Sequence, residues 1–534
     1  MTPGNPARPE PTRTARFLGR AALVVAAATM ASKILGLLRE SVLAARFGAT
    51  NLTDAYNFAA LLPLVLFAAV GVAITNVFIP LFSGILSQSD QREAERFAAN
   101  VNGAVTVAGL ILVGILEVTA GPVVRVLLPS RPAEFQHQCA QLVRISAPII
   151  LFYAWSAIVG GVLNVRGFFG PNAAMGIPQN LTIIAAILVG SLGGRQDITL
   201  VAWGSLAGTF TTYLIQLPAL RHSRFRVGWR LDLRDPMLHR MARLVGPAAL
   251  TAFAQQIGSL VVSVLAARIA QGSITDFTYA SRLQLLTYSI LGMSIATVVY
   301  PRLASVAAGR DMRDFRRTFA RGLGMVSAVT VPLAIGLCLL RVAAIGAVYQ
   351  HGSFTAADTA ATAGPLAFLS LGTVAYAWQD YTNRAFYALQ DTRTPMRAAL
   401  IGTAVGIALA LVLYRAAGLA GLGLAMGLGW SSAAAFLVWR LRHRLGLLGG
   451  RRIGASAVRL VVAAVVAFVP AAWAVSPLGA ALGGGVVTRA LAFVACGLGG
   501  VAIYAACGLL LRVPEIGEGM ELARGVWQRF RHAV

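Results

Sequence analysis

Apolar runs long enough to cross a bilayer recur along the whole chain, from Ala21 to Leu511. A crossing helix needs roughly 20 such residues, and about fourteen runs of that order are present, the first near 20–46 and the last near 486–511. Inside hydrocarbon every backbone N–H and C=O must be satisfied within the protein, which helices do segment by segment. The chain is 57% hydrophobic and 12% charged, whereas a soluble domain carries about 25% charged residues. These features predict an all-α polytopic membrane protein with no sizeable soluble domain.

The formal net charge is +25. In a soluble protein that would suggest nucleic acid, but here the arginines follow the loops. Seven lie in 220–243, six in 302–321 and six in 440–459, all on one side if the helices alternate. This is the positive-inside pattern, and it predicts that both termini are cytoplasmic. It makes headgroups, not nucleic acid, the partner of most arginines. Residues 1–19 are Pro- and Arg-rich and read as a disordered tail, and residues 513–534 as a second tail, either amphipathic on the membrane or disordered. The four cysteines have no metal-binding spacing, and no cofactor is called for. The glycine-rich "GLGLAMGLG" at 421–429 lies inside an apolar run, where small residues allow close helix packing.

The stretch "VLAARFGATNLTDAY" at 42–56 returns as "VLAARIAQGSITDFTY" at 264–279. Thr53-Asp54 aligns with Thr275-Asp276. After a one-residue slip Gly71 meets Gly292, Pro80 meets Pro301, and Asp90, Arg92 and Arg96 meet Asp311, Arg313 and Arg317. An even number of predicted crossings separates the copies, so they share one orientation. Parallel repeats of this kind build two-lobed transporters with the substrate between the lobes. The expected organisation is an N-lobe of six helices over 20–222, a C-lobe of six over 223–445, and two additional helices over 446–512.

Ionisable side chains at bilayer depth cost about 2.5–3.5 kcal/mol each on insertion scales and usually face a cavity. Lys33, the only lysine, and Arg39, Arg282 and Arg384 fall inside predicted spans. Lys33 lies about 18 Å along a helix begun near Ala21, past the middle of a roughly 30 Å core. It shares a face with Glu40, two turns on. Arg46 and Arg268 sit near helix ends and suit headgroup contact. Asp54 and Asp276 follow Thr and precede apolar runs, as helix-capping residues do. Arg384 has Asp380 four residues away as a local partner. A cavity with several cations and few acids selects an anion, and the arginine fork suits phosphate.

Three motifs resemble those of the MurJ/MviN family, the lipid II flippases of the multidrug/oligosaccharidyl-lipid/polysaccharide exporter superfamily. They are "SKILGLLRESVLAARFGATNLTDAY" at 32–56, "YQHGSFTAADT" at 349–359 and "RAFYALQDTRTPMRAA" at 384–399. The resemblance implies a fourteen-helix, two-lobed fold around a cationic cavity, in a bacterial plasma membrane. It implies alternating access that moves a lipid-linked peptidoglycan precursor between leaflets. Carried over by position, Lys33, Arg39 and Arg282 would bind substrate. Glu40, Asp54 and Arg384 would form the gating or charge network. The precursor and membrane lipids are the implied partners, with other cell-wall synthesis proteins as further candidates. The sequence departs from the family at 62–80, which carries no charge where the family's second helix has arginines, and at Ser281, where the family has aspartate. The departures leave open a flippase for another lipid-linked oligosaccharide, or a non-transporting cell-wall scaffold. An enzyme acting on such lipids would need clustered carboxylates, and the twenty acids are scattered.

Overall fold

The computed structural model describes residues 13–517 apart from 89, 310, 447–449 and 514. All regular structure among them is helical. The first half comprises α1 (Arg13–Phe47), α2 (Asn51–Ala73), α3 (Ile79–Gln88), α4 (Gln91–Leu127), α5 (Ala133–Ser146), α6 (Ile149–Val165), α7 (Gly170–Ala174), α8 (Gly176–Gly190), α9 (Ile198–Leu214) and α10 (Leu217–His222). The second half comprises α11 (Pro236–Ala266), α12 (Ser273–Thr287), α13 (Met293–Ala308), α14 (Met312–Leu339), α15 (Arg341–Tyr349), α16 (Ala356–Ala388) and α17 (Arg393–Leu445). Two helices, α18 (Gly450–Ala481) and α19 (Val486–Leu510), follow. The chain is therefore the polytopic all-α membrane protein that its apolar runs predict.

α1 starts at Arg13, ahead of the boundary expected at residue 20. The last proline of the tail is Pro11, and the arginines, alanines and leucine beyond it are strong helix formers. Residues 1–12 and most of the tail after Val513 lie outside the described residues.

Among the described residues, ten helices are long and apolar enough to cross a membrane by length and composition. One of them, α17, is broken at Ala417 and Gly418, where Gly418 has φ 54° and ψ −135°. No side chain with a Cβ adopts that conformation cheaply. A Gly418→Ala substitution is expected to destabilise the protein by about 1–3 kcal/mol, read as a lower thermal midpoint in detergent.

Polar residues start the helices that follow loops. Asp197 accepts the backbone N–H groups of Thr199 and Leu200 at α9, Asp235 that of Met237 at α11, and Asp311 those of Arg313 and Asp314 at α14. At α16, Thr355 and Asp358 cap reciprocally. The glycine-rich stretch of α17 does bring helices close: a Cβ on Gly423 would lie 2.7 Å from the Pro365 carbonyl oxygen of α16.

The halves pack along α2 against α11, and α18 lies on α14. The largest core cluster joins both halves, placing Leu43, Phe47 and Phe58 with Tyr279, Tyr349 and Phe354. A π-helical turn interrupts the chain after α2, at Ile74–Phe78, and after α12, at Tyr288–Gly292. Such turns re-aim side chains and recur at functional sites.

Candidate functional site

Two constellations of charged residues join the halves. The first lies in the C-terminal parts of α1 and α12. Nη2 of Arg39 and Nη1 of Arg282 both donate to the same Glu40 oxygen, Oε1. Arg39 and Glu40 are adjacent on α1, whereas Arg282 comes from the other half. The Glu40 side chain is 6% exposed, against 20% for Arg39 and 41% for Arg282. The buried carboxylate thus anchors two guanidiniums that keep exposed surface. The second oxygen, Glu40 Oε2, is buried and accepts no hydrogen bond among the described residues. Two cations on one carboxylate leave a net positive charge at the junction.

Lys33 lies two turns before Glu40 on α1. Its Nζ donates to Ser289 Oγ at 3.0 Å and to the Ser289 carbonyl oxygen at 3.4 Å. Ser289 sits in the π-helical turn after α12, so Lys33 also reaches across to the other half. The neighbouring Tyr288 donates its hydroxyl to Asp380 Oδ2 at 3.0 Å. That oxygen also accepts from Arg384, 3.2 Å away. Arg384 is therefore paired locally, as the spacing to Asp380 suggests, and does not join Glu40. The structure brings Arg39, Glu40 and Arg282 together, sets Lys33 on the same junction, and links Arg384 to it only through Tyr288 and Asp380.

The second constellation closes one end of the junction. Asp54 does not cap its own helix: it lies in the first turn of α2, where Thr53 Oγ1 accepts from the Thr50 N–H at 2.9 Å. Its carboxylate instead caps α12 of the other half. Oδ2 accepts the Gly272 N–H, and Oδ1 accepts both the N–H and the hydroxyl of Thr275, each at 2.9 Å. Arg131, in the loop before α5, donates to Asp54 Oδ2 at 3.0 Å and to the Ala270 carbonyl at 2.8 Å. Negative charge at a helix N-terminus is favourable, and here it comes from the opposite half.

A parallel seam joins α1 to the end of α15 and the loop after it. The Ser41 hydroxyl donates to the Val348 carbonyl at 2.7 Å and meets His351 Nε2 at 3.0 Å. The Ser353 N–H donates to the Ala45 carbonyl at 2.7 Å. Gly352, at φ 60°, leaves no room for a Cβ, which would collide with the Ala45 carbonyl oxygen. A Gly352→Ala substitution is expected to loosen this seam, raising the reactivity of a cysteine placed at Ser41 toward a water-soluble maleimide by about tenfold.

The sequence singled out neither Arg131 nor Ser289. Arg131 had a signal: it lies in a connection on the arginine-poor side of the chain, where a cation is unusual. Ser289 had none, because its placement depends on the π-helical register.

A family model described as "Lipid II flippase MurJ" matches residues 43–484. A Rhizobium meliloti (strain 1021) protein described as "Probable lipid II flippase MurJ" is 28% identical over 496 residues, covering 90% of this chain and 91% of that one. A Vibrio cholerae relative of the same description is 28% identical over 522 residues, covering 94% and 98%. A solved structure described as lipid II flippase MurJ in an inward closed conformation aligns with a TM-score of 0.76 at 23% identity, over 92% of this chain and 99% of that one. An inward-facing multidrug resistance MATE family transporter of the MOP superfamily aligns at 0.65 and 15% identity, over 80% and 98%. The family match spans most of the sequence, and the chain belongs to the MurJ lipid II flippase family.

Proposed function

We propose that this protein is a lipid II flippase, moving the polyprenyl-diphosphate-linked peptidoglycan precursor from the cytoplasmic to the outer leaflet of a bacterial plasma membrane. Membership of the family and the names of its relatives support the substrate. The observation that carries the mechanism is the shared Glu40 oxygen: Arg39 and Arg282, from opposite halves, converge on one carboxylate. Glu40 acts as a resident anion that holds the two forks in place. An arriving diphosphate competes for both, offering more charge and more acceptor oxygens than a single carboxylate. Lys33 adds a third cation toward the headgroup. The substrate is moved without covalent change.

In this reading the halves are two parallel lobes, and fourteen crossings follow if α17 counts twice about Gly418 and if α1, α11 and the α12–α13 rod also span. The positive-inside pattern puts both termini in the cytoplasm and the Asp54 seam at the outer face. The described conformation is then closed to the outside, and alternating access requires the seam to part.

Residues 62–80 are without charge, and Phe67 there packs on Tyr153 with ring centroids 5.6 Å apart. An aromatic pair in place of the family's arginines favours, as a second reading, a flippase for a different polyprenyl-linked glycan.

Reconstitution into vesicles separates these. Arg39→Ala is expected to reduce lipid II transfer at least about tenfold, the loss of one charge-assisted fork, with Arg39→Lys intermediate. Unchanged transfer in both variants would refute the mechanism. Transfer of another lipid-linked glycan, but not lipid II, by the unaltered protein would establish the second reading.

A further inference from the structure

The motif at 384–399 has no part in the charge network beyond Arg384, yet its turn builds a recess of its own. α16 ends at Ala388, Gln390 turns the chain at φ 59°, and the Asp391 N–H returns to the Phe386 carbonyl at 2.9 Å. Asp391 then caps α17. Oδ1 accepts the N–H groups of Arg393 and Thr394 at 3.1 and 3.0 Å, and Oδ2 accepts the Thr394 hydroxyl at 2.8 Å. The same Oδ2 lies 3.6 Å from Nη1 of Arg444, at the far end of α17. Phe386, Asp391, Arg440, His443 and Arg444 line a recess of about 360 Å³, within the range of small-ligand pockets.

We propose that this recess binds a phosphate-bearing anion, either the headgroup of an anionic membrane lipid or free phosphate. Three cationic or cation-capable side chains face one acid, and that acid is already saturated. Asp391 is engaged by two backbone N–H groups and a hydroxyl and also orients Arg444, and its single negative charge against Arg440 and Arg444 leaves the site net positive. Arg440 makes no ion pair among the described residues, and its fork is available. His443 is held edge-on to Trp439, ring centroids 4.8 Å apart at 73°. Trp439 is 51% exposed, as tryptophans of the membrane–water interface are, which sets the recess at headgroup depth. The buried Phe386 adds an apolar wall. Basic pockets between membrane helices at this depth suit phospholipid headgroups. Basic residues in the last turn of α17 also complement its dipole. The dipole accounts for neither the recess nor the Asp391–Arg444 pairing.

The test uses the full chain and two probes. Native mass spectrometry from phosphatidylcholine nanodiscs doped with phosphatidylglycerol counts retained lipid, and calorimetry in detergent follows inorganic phosphate. Arg440→Gln combined with Arg444→Gln is expected to weaken binding of whichever probe the unaltered protein takes by at least about tenfold. Asp391→Asn is the sharper variant. Asparagine still caps a helix, and the substitution adds one unit of positive charge. Diffuse attraction would then strengthen binding, whereas loss of the oriented Arg444 weakens it. Weaker binding in both variants supports the site. Dependence seen with phosphatidylglycerol alone assigns it to a lipid, and with phosphate alone to a soluble anion. Unchanged binding in the double variant, tighter binding in Asp391→Asn, or no binding of either probe overturns the proposal. None of these readouts depends on lipid II transfer, so the proposal and the flippase reading fail separately.

Discussion

Glu40→Ala is expected to destabilise the described conformation by about 2–3 kcal/mol and to abolish measurable transport. Among the described residues the carboxylate is the only acid paired with these two guanidiniums, which come from opposite halves. Removing one partner of a fully buried ion pair costs about 3–5 kcal/mol, because the remaining charge has no compensation. Arg282 is 41% exposed, so water screens part of that cost and brings it below the buried range, to about 2–3 kcal/mol. The same removal leaves two cations repelling each other across the junction, which drives the halves apart. Glu40→Asp separates charge from reach: it keeps the charge but retracts it by one methylene, and one fork is lost instead of two. The expected order of thermal midpoints is unaltered protein, then Asp, then Ala. A Glu40→Ala protein as stable as the parent would show that the pairing contributes nothing to this state.

Asp54→Ala is expected to shift the population toward a state open at the Asp54 end by about a hundredfold. Four hydrogen bonds end on this carboxylate, from Gly272 N–H, Thr275 N–H, Thr275 hydroxyl and Arg131. Bonds to a charged group contribute about 1.5–3 kcal/mol each and are not additive when they share one acceptor. A net loss of about 3 kcal/mol corresponds to that hundredfold. Three of the four donors belong to the other half, so the cost falls on closure and not on the fold of either half. Spin labels at Gln196 and Arg268, both exposed, report the separation directly. A longer distance should dominate in Asp54→Ala, and Arg131→Gln should show a smaller shift of the same sign. Identical distance distributions in parent and variant would remove Asp54 from the closure.

Much of this was legible in the sequence, for identifiable reasons. Apolar runs of crossing length dictate helices, because hydrocarbon offers the backbone no other partners. The start of α17 at Arg393 has only local signals, the acid Asp391 before it and Pro395 in its first turn, because capping and proline placement are local. The spacing of Arg384 and Asp380 predicted a pair that exists. The repeat was readable too, but it misled on one point. It presents Asp54 and Asp276 as equivalents, whereas Asp54 crosses to the other half and Asp276 accepts the Thr362 hydroxyl of its own half at 2.7 Å. Two copies meeting at one closed end cannot both occupy the same space, so one carboxylate takes the crossing role. Partners that depend on how the halves meet, such as Gly272 and Thr275 for Asp54 and Ser289 for Lys33, leave no local pattern to read.

Exchange of Glu40 for a diphosphate would be seen in a structure of the protein with lipid II in a nanodisc. The diphosphate is expected between Arg39 and Arg282, within hydrogen-bonding distance of both, with Glu40 displaced from at least one of them. A diphosphate bound elsewhere, with both guanidiniums still on Glu40, would contradict this exchange.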